Sequence, residues 1–302
     1  MHRPNWFKDG RVLVSSAPTC GINKDGLDQF VVDVATGTRG DRLDDQLSID
    51  VRAVLDGKTT STARFVRSEE IARDWRVVPN YFDQRHERQF AAFVKRELEG
   101  WETASLGELI DDGCILRRDG HGSPSLDQRV GSVPYIKVSD LRAGFVNINP
   151  TNLIPVPLAK SMWRGDSSGL QAWDLLCPER ASKNIGDFCV LMPGQEQIIV
   201  TREVIILRVL ERANFDPFFL MWALTLKVVR QQWNRIIFMQ TNREDAGHRY
   251  REIRIPIPPS TEIAADISTP FRTYYQSLAE HRTQLAQYLA EDGRHHYFVN
   301  PD

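Results

Sequence analysis

The amino-acid sequence predicts an α+β protein: a globular domain of short strands with a few helices, closed by one long C-terminal helix. Two observations carry this reading. Between residues 101 and 259, short β-like runs alternate with Gly, Pro, Ser and Asn. From residue 261 to about 291, Ile263, Ile267, Phe271, Tyr274, Leu278, Leu285 and Leu289 recur at steps of three, four or seven, an apolar stripe about 40 Å long at 1.5 Å per residue. With 302 residues, 41% of them hydrophobic, the chain can build about two cores.

The elements follow in order. Strands are expected at Arg11–Ser15 and Gln29–Val34, joined by the loop APTCGINKDG, in a segment too small for a core of its own. Residues 58–67, KTTSTARFVR, read as a Thr/Ser-rich linker. Helices are expected at Ser68–Asp74 and at Gln84–Glu99, where Phe90, Phe93, Val94 and Leu98 share a face. Strands follow at Gly113–Leu116, Val133–Val138, Phe188–Leu191, Gln197–Thr201 and Val204–Val209. A helix opening at Pro217 interrupts them and turns basic at its far end. The prolines of IRIPIPP, 253–259, force an extended edge. In the last helix Pro270 is expected to break or kink the first part. The expected division is 1–60, 61–100 (linker and connector helix), 101–260 and 261–302. The last helix either packs on its own domain or forms an arm that docks on another subunit.

Composition excludes several classes. The longest apolar runs, such as Ile198–Val200 with Val204–Leu207, are far shorter than the roughly 20 residues that span a bilayer, so no membrane association and a cytoplasmic address are expected. Cys20, Cys114, Cys177 and Cys189 form no CxxC pair and have no His at zinc-ligand spacing, so neither a disulfide framework nor a metal is expected. The formal charge of −2 gives no global basic excess. Between Thr225 and Arg254, however, seven basic residues face three acidic ones, a local excess of four. A Walker loop and a nuclease-type Asp with Glu-x-Lys are missing, and Gly120-His121-Gly122 is too short for a phosphate cradle. An adenine aminomethylase needs Asn/Asp-Pro-Pro-aromatic, and Pro79-Asn80-Tyr81-Phe82 has the wrong order. No catalytic residue and no cofactor are therefore expected.

The stretch VPYIKVSDLRAG, residues 133–144, holds Lys137, Ser139 and Arg142 at the end of a strand. It suits a catalytic loop, a nucleic-acid reading loop or an ordinary surface turn. Trp163, Trp173, Trp222 and Trp233 read as core residues, with base stacking as the alternative.

GSVPYIKVSDLRAGFVNIN, then IIVTREVIILRV, DPFFLMWALTLKVVRQQ, QTNREDAGHRYREIRIPIPP and the closing helix, from about Leu106 to Leu289, resemble the target-recognition domain of DNA-specificity subunits of type I restriction-modification systems. WFKDGRVLVSSAPTCGINKDG resembles the strands and Cys-Gly loop that end the catalytic domain of N6-adenine DNA methylases, and WRVVPNYFD resembles the joint to a recognition domain. The catalytic core of such a methylase is missing from this sequence. The resemblance implies a non-catalytic reader of double-stranded DNA, partnered by an N6-adenine DNA methyltransferase subunit. A bipartite target would need a homodimer or a second recognition domain. The alternative is the truncated tail of a fused methylase-specificity enzyme, active only with the missing core.

The resemblance also implies roles for residues. Lys137 and Arg142 can donate to guanine or phosphate, Ser139 to either, and Asn242 beside Thr241 can pair with adenine. Arg243, His248, Arg249, Lys227 and Arg230 suit phosphates, which fix register without reading sequence. Arg118 before the loop DGHGSPS, and Ser123 and Ser125 within it, are further DNA-binding candidates, although Ser123 and Ser125 also suit turn caps.

Overall fold

In the computed structural model, which describes residues 10–74, 76, 78–149, 151–240 and 243–294, the chain divides into two units, Met1–Gln89 and Phe90–Asp302. The first holds β1 (Arg11–Ser15), β2 (Phe30–Val32), β3 (Arg39–Leu43), α1 (Gln46–Leu55), β4 (Ala63–Arg67) and α2 (Ser68–Asp74). β2 and β3 form a hairpin, and β1 pairs antiparallel with β4, Leu13 opposite Phe65. Val66, Ile71 and Phe82 make a small core with Val12, Val14 and Tyr81.

Residues 63–67 are thus a strand, not linker. Periodicity missed it because the Thr-rich stretch before it serves a buried carboxylate. Asp50 on α1 accepts from Ser15 Oγ (2.5 Å), Thr60 Oγ1 (2.5 Å) and Thr62 Oγ1 (2.7 Å). Burial alone would raise the Asp50 pKa, but these three hydroxyls and the Arg85 charge hold it below the usual carboxylate range.

The division falls inside α3 (Arg85–Glu97), whose Phe90 and Val94 enter the main core of the second unit. β5 (Glu102–Ser105) leads into α4 (Leu106–Asp111) through a capping box: Glu108 N–H donates to Ser105 Oγ (3.1 Å) and Ser105 N–H to the Glu108 carboxylate (2.6 Å). Then come β6 (Ile115–Asp119), β7 (Val133–Ile136), β8 (Leu141–Arg142), β9 (Phe145–Val146), β10 (Leu153–Ile154), α5 (Val156–Trp163), β11 (Leu175–Pro178), β12 (Cys189–Val190), β13 (Ile199–Val200) and β14 (Val204–Val209). α6 (Pro217–Thr225), α7 (Lys227–Arg230), α8 (Trp233–Ile236), β15 (Phe238–Gln240), β16 (Arg243–Asp245), β17 (Arg254–Ile257) and α9 (Thr261–Glu291) complete the chain.

A six-stranded sheet, β6-β14-β11-β12-β9-β8, is the centre, mixed because β9 runs parallel to β12. Its strands are covered on both faces, which explains the unbroken apolar run of β14. Ile205 and Leu207 enter one core with Phe218, Phe219 and Trp233, while Val204 and Ile206 enter another with Ile136 and Leu141. Fully burying a side chain such as Phe219 contributes about 1.5–3 kcal/mol. A second sheet, β10-β7-β13, packs on α5, and β17 pairs antiparallel with β5. The expected α+β class and the long C-terminal helix are both present.

Two details differ from the sequence expectation. Leu226, at φ −57° and ψ 129°, separates α6 from the basic turn α7. Helix α9 continues through Pro270 without a break. Proline removes one N–H, but the buried Ala264, Ser268 and Tyr275 on either side hold the helix in place. Among the described residues, no helix is long and apolar enough to cross a membrane.

Candidate nucleic-acid interface

Strand β7 is apolar because both its neighbours are strands: Val133, Tyr135 and Ile136 are buried. Its end is a built turn. The Asp140 carboxylate accepts from Lys137 N–H (2.8 Å), Asp140 N–H donates to the Lys137 carbonyl (3.0 Å), and Arg142 Nε donates to the Ser139 carbonyl (2.9 Å). Ala143 and Gly144 take positive φ, 53° and 83°, which lets β8 reverse into β9. Ser139 and Arg142 are exposed and Lys137 half-buried on this fixed turn.

A second loop joins it. His121 and Gly122 N–H both donate to the Val200 carbonyl (2.8 and 3.2 Å), and Ser123 Oγ lies 3.0 Å from Thr201 Oγ1. Thr201 N–H in turn donates to the Ile136 carbonyl (3.0 Å), the residue before Lys137. Gly120 is required here, since a Cβ would fall 1.9 Å from the Thr201 carbonyl oxygen. Ser125 caps its own turn, with its hydroxyl on the Asp127 carboxylate and its N–H donating to Gln128 Oε1 (3.1 Å).

A third element is the β15–β16 hairpin. Arg180 and Asp245 form a β-bridge, Ala181 N–H donates to the Glu244 carbonyl (2.9 Å) and Ala246 N–H to the Glu179 carbonyl (2.9 Å). Arg249 clamps the hairpin base: Nε donates to the Ile236 carbonyl (2.8 Å), a terminal nitrogen to the Asp245 carbonyl (2.7 Å), and the guanidinium lies 4.0 Å from the Phe238 ring centroid. Its side chain is 15% exposed. Toward the tip, Met239 is 68% exposed and the Arg243 side chain 64%. Thr241 and Asn242, expected to face DNA, lie outside the described residues. His248 is exposed.

The hairpin meets the β13–β14 turn, to which the second loop is bonded, through Arg243, whose guanidinium pairs with Glu203 at 3.3 Å. Glu203 shares a turn with the exposed Arg202, next to Thr201. Ser123, Lys137, Arg202 and Arg243 therefore belong to one connected set of loops, with Ser139 and Arg142 continuing it along the turn after β7. Arg202 was missed in the sequence. The signal was there in IIVTREVIIL, where a two-residue turn between two apolar strands must expose its cation.

The remaining candidates differ in their surroundings. Arg118 donates to the Ser168 carbonyl (3.3 Å), which His121 also reaches, and to the Gly169 carbonyl, although its strand β6 is at the opposite edge of the six-stranded sheet from Arg142 on β8. Five strand spacings of about 4.8 Å put these edges roughly 24 Å apart. Arg230 pairs with Asp187 at 2.7 Å on the wall of a 390 Å³ cavity whose floor includes Phe188, Met221 and Tyr275. Lys227 is exposed. Trp233 is buried, and Trp163, Trp173 and Trp222 pack half-buried against cores. Among the described residues no three His, Cys, Asp or Glu side chains gather to hold a metal.

No protein-family description and no curated protein matches the chain. Solved structures do. The S subunit of a type I restriction-modification system from M. genitalium aligns with a TM-score of 0.41 and 13% identity over 64% of this chain and 43% of that one. The HsdS subunit from Thermoanaerobacter tengcongensis aligns at 0.38 and 15%, over 78% and 51%. The type IIG restriction endonuclease BpuSI aligns at 0.46 and 9%, over 74% and 33%. The chain thus spans about half or less of the length of these structures.

Proposed function

We propose that the second unit reads the sequence of duplex DNA, and that the chain is the non-catalytic specificity subunit that directs an adenine-N6 methylase to its target in a restriction-modification or related anti-phage defence system. The observation that carries the reading is the connected set of donors formed by the exposed Ser123, Arg202 and Arg243 and the half-buried Lys137, presented by loops that are each fixed at the base by hydrogen bonds. Rigid loops bearing cations and hydroxyls suit a major groove, where each base pair shows its own donor and acceptor pattern. Ser139 and Arg142 extend the set for base or phosphate contact. Lys227, Arg230, His248 and Arg249 are assigned to phosphate positioning or its support. The resemblance in sequence supports the methylase partner.

The test is selection of a random duplex library on the full chain across about 50 to 200 mM salt, followed by methylome sequencing of cells with and without it. A single enriched motif that also loses methylation when the chain is deleted supports the reading; no enrichment at any salt refutes it.

A second reading, the tail of a fused methylase-specificity enzyme, is favoured by one feature of the first unit. Leu47, Val51 and Leu55 share one face of α1 at steps of four and are 40%, 41% and 81% exposed. Such a stripe suits burial against a further protein domain.

A further inference from the structure

Three segments of the second unit meet on the His121 imidazole. Nδ1 lies 3.1 Å from the Val200 amide nitrogen, which can only donate, so Nδ1 accepts and carries no proton. Nε2 lies 2.9 Å from the Ser168 carbonyl, which can only accept, so the single ring proton sits there. The ring thereby fastens the 120–123 loop to β13 on one side and to the 168–170 segment on the other. Ser123 and Thr201, one hydrogen bond apart, are two residues from the ring and next to Val200, and the Thr201 amide binds the residue before Lys137.

Resting on the DNA-reading function proposed above, we propose that His121 is a positioning residue for that surface: its neutral ring holds Ser123 and Lys137 in reading geometry, and a second proton, at Nδ1, releases the loop. A proton on Nδ1 points at the Val200 N–H. Two donors then face each other, and a hydrogen bond is replaced by a buried unsatisfied group.

The charged groups on the elements around the ring favour the neutral form. From β6, Arg118 donates to the same Ser168 carbonyl and to Gly169, and Asp119 is engaged by Arg117. From β14, Arg208 donates to the Gly169 carbonyl (2.9 Å) while paired with Asp174 of the segment before β11. Glu196 contributes its backbone carbonyl to Ser168 Oγ and its carboxylate to Gly194 N–H (2.8 Å). Burial first, and Arg118 after it, hold the His121 pKa below the usual histidine range, against the opposing pull of the Ser168 carbonyl. Because the folded value is depressed, the stability gained from the neutral ring is complete above the unfolded value of about 6.5 and is lost as pH falls through the folded one.

The test follows the Val200 amide by hydrogen exchange in the full chain, with the Leu207 amide of β14 as internal reference, from about pH 7.5 to about pH 5. In parallel, affinity for a pool of random-sequence duplexes is measured at each pH. The comparison protein is His121→Gln, which can donate to Ser168 but does not titrate. In the wild-type chain, Val200 protection relative to Leu207 and duplex affinity are each expected to fall about tenfold, while His121→Gln stays flat in both. Every other side chain is common to both proteins and cancels in the comparison. A flat Val200 protection in the wild-type chain, or an equal fall in the variant, overturns the latch. A fall in protection without any loss of affinity overturns its role in reading. If the wild-type chain binds no duplex at any pH, the DNA-reading function fails, while the exchange data still decide the latch. Should His121→Gln not fold, the wild-type ratio of Val200 to Leu207 protection decides alone.

Discussion

The Tyr275 hydroxyl donates to the Gly144 carbonyl at 3.1 Å, tying α9 to the turn after β8 across 131 residues. The two residues require each other, since Gly144 sits at φ +83° and a Cβ there would fall 2.5 Å from the Tyr275 oxygen. The C-terminal helix thus supports the turn that follows Arg142 and joins β8 to β9. Tyr275→Phe keeps the ring and loses the bond, so chemical denaturation is expected to show a loss of about 0.5–1.5 kcal/mol. Burial pushes the Tyr275 pKa up to about 12. A raised folded pKa means this stability is complete below the unfolded value of about 10 and disappears as pH rises through about 12. Tyr275→Phe is therefore expected to flatten the alkaline end of the stability profile.

Gly144→Ala introduces both left-handed strain and the clash with Tyr275 Oη. A cost of about 1–3 kcal/mol is expected from the backbone alone, with the clash added. In the double variant with Tyr275→Phe the clash is gone, so the two losses are expected to sum to more than the measured total. A thermodynamic cycle by urea denaturation checks this, and strict additivity would mean the hydroxyl and the turn do not interact.

Arg208 makes a two-pronged pair with Asp174, Nε at 2.7 Å and a terminal nitrogen at 2.6 Å, and Asp174 is 1% exposed. Arg208→Ala leaves that carboxylate buried and unpaired, a loss of about 3–5 kcal/mol. Adding Asp174→Asn removes the stranded charge. The double variant is expected to melt above Arg208→Ala, and a double variant less stable than the single one counts against this account.

Where a segment carries a strong local pattern it was legible in the sequence: β1, β14, α2 and α9 fall at the expected residues. The strand β4 was not legible, because its stability comes from pairing with β1 some 50 residues earlier and from hydroxyls turned onto Asp50. The candidate interface divides in the same way. Lys137, Ser139 and Arg142 are local to one turn and could be named from VPYIKVSDLRAG. That Ser123 and Arg243 belong to the same connected loops depends on Thr201 and Glu203, partners 78 and 40 residues away. A cation in a sequence also does not reveal its bonds. Arg118 and Arg249 read like any surface arginine, and both are committed to carbonyl groups.

That difference separates two arginines of the hairpin. Arg243→Ala is expected to leave the melting temperature unchanged, weaken duplex binding and lower the magnitude of the salt slope by about 1 if it neutralises a phosphate. Arg249→Ala removes the clamp on Ile236, Asp245 and Phe238, so it is expected to lower the melting temperature and loosen the hairpin. Lys137→Ala and Arg142→Ala are expected to cost about 1–3 kcal/mol of preference for the selected motif over scrambled duplex. An equal loss on both duplexes would make them phosphate contacts.

The long helix α9 has two halves with different environments, and truncation tells them apart. Its first half packs on α6: Ala264, Ser268 and Tyr275 are buried, Ile267 and Phe271 reach the main core, and Arg272 pairs with Asp216, the residue that also caps α6 by accepting from Phe219 N–H at 2.8 Å. Its last turns expose Leu285 (54%) and Tyr288 (65%) on an otherwise polar surface. A chain ending at Pro259 therefore exposes core and leaves the Asp216 cap without its arginine. It is expected to lose its cooperative thermal transition. A chain ending at Arg282 keeps every buried residue of the helix, so it is expected to melt like the full chain and to retain duplex affinity. If the exposed turns form a docking arm, that same chain loses its methylase partner or its self-association, read by pull-down and by sedimentation. A cooperative melt in the chain ending at Pro259 would show that α9 contributes nothing to the second unit, contrary to its packing.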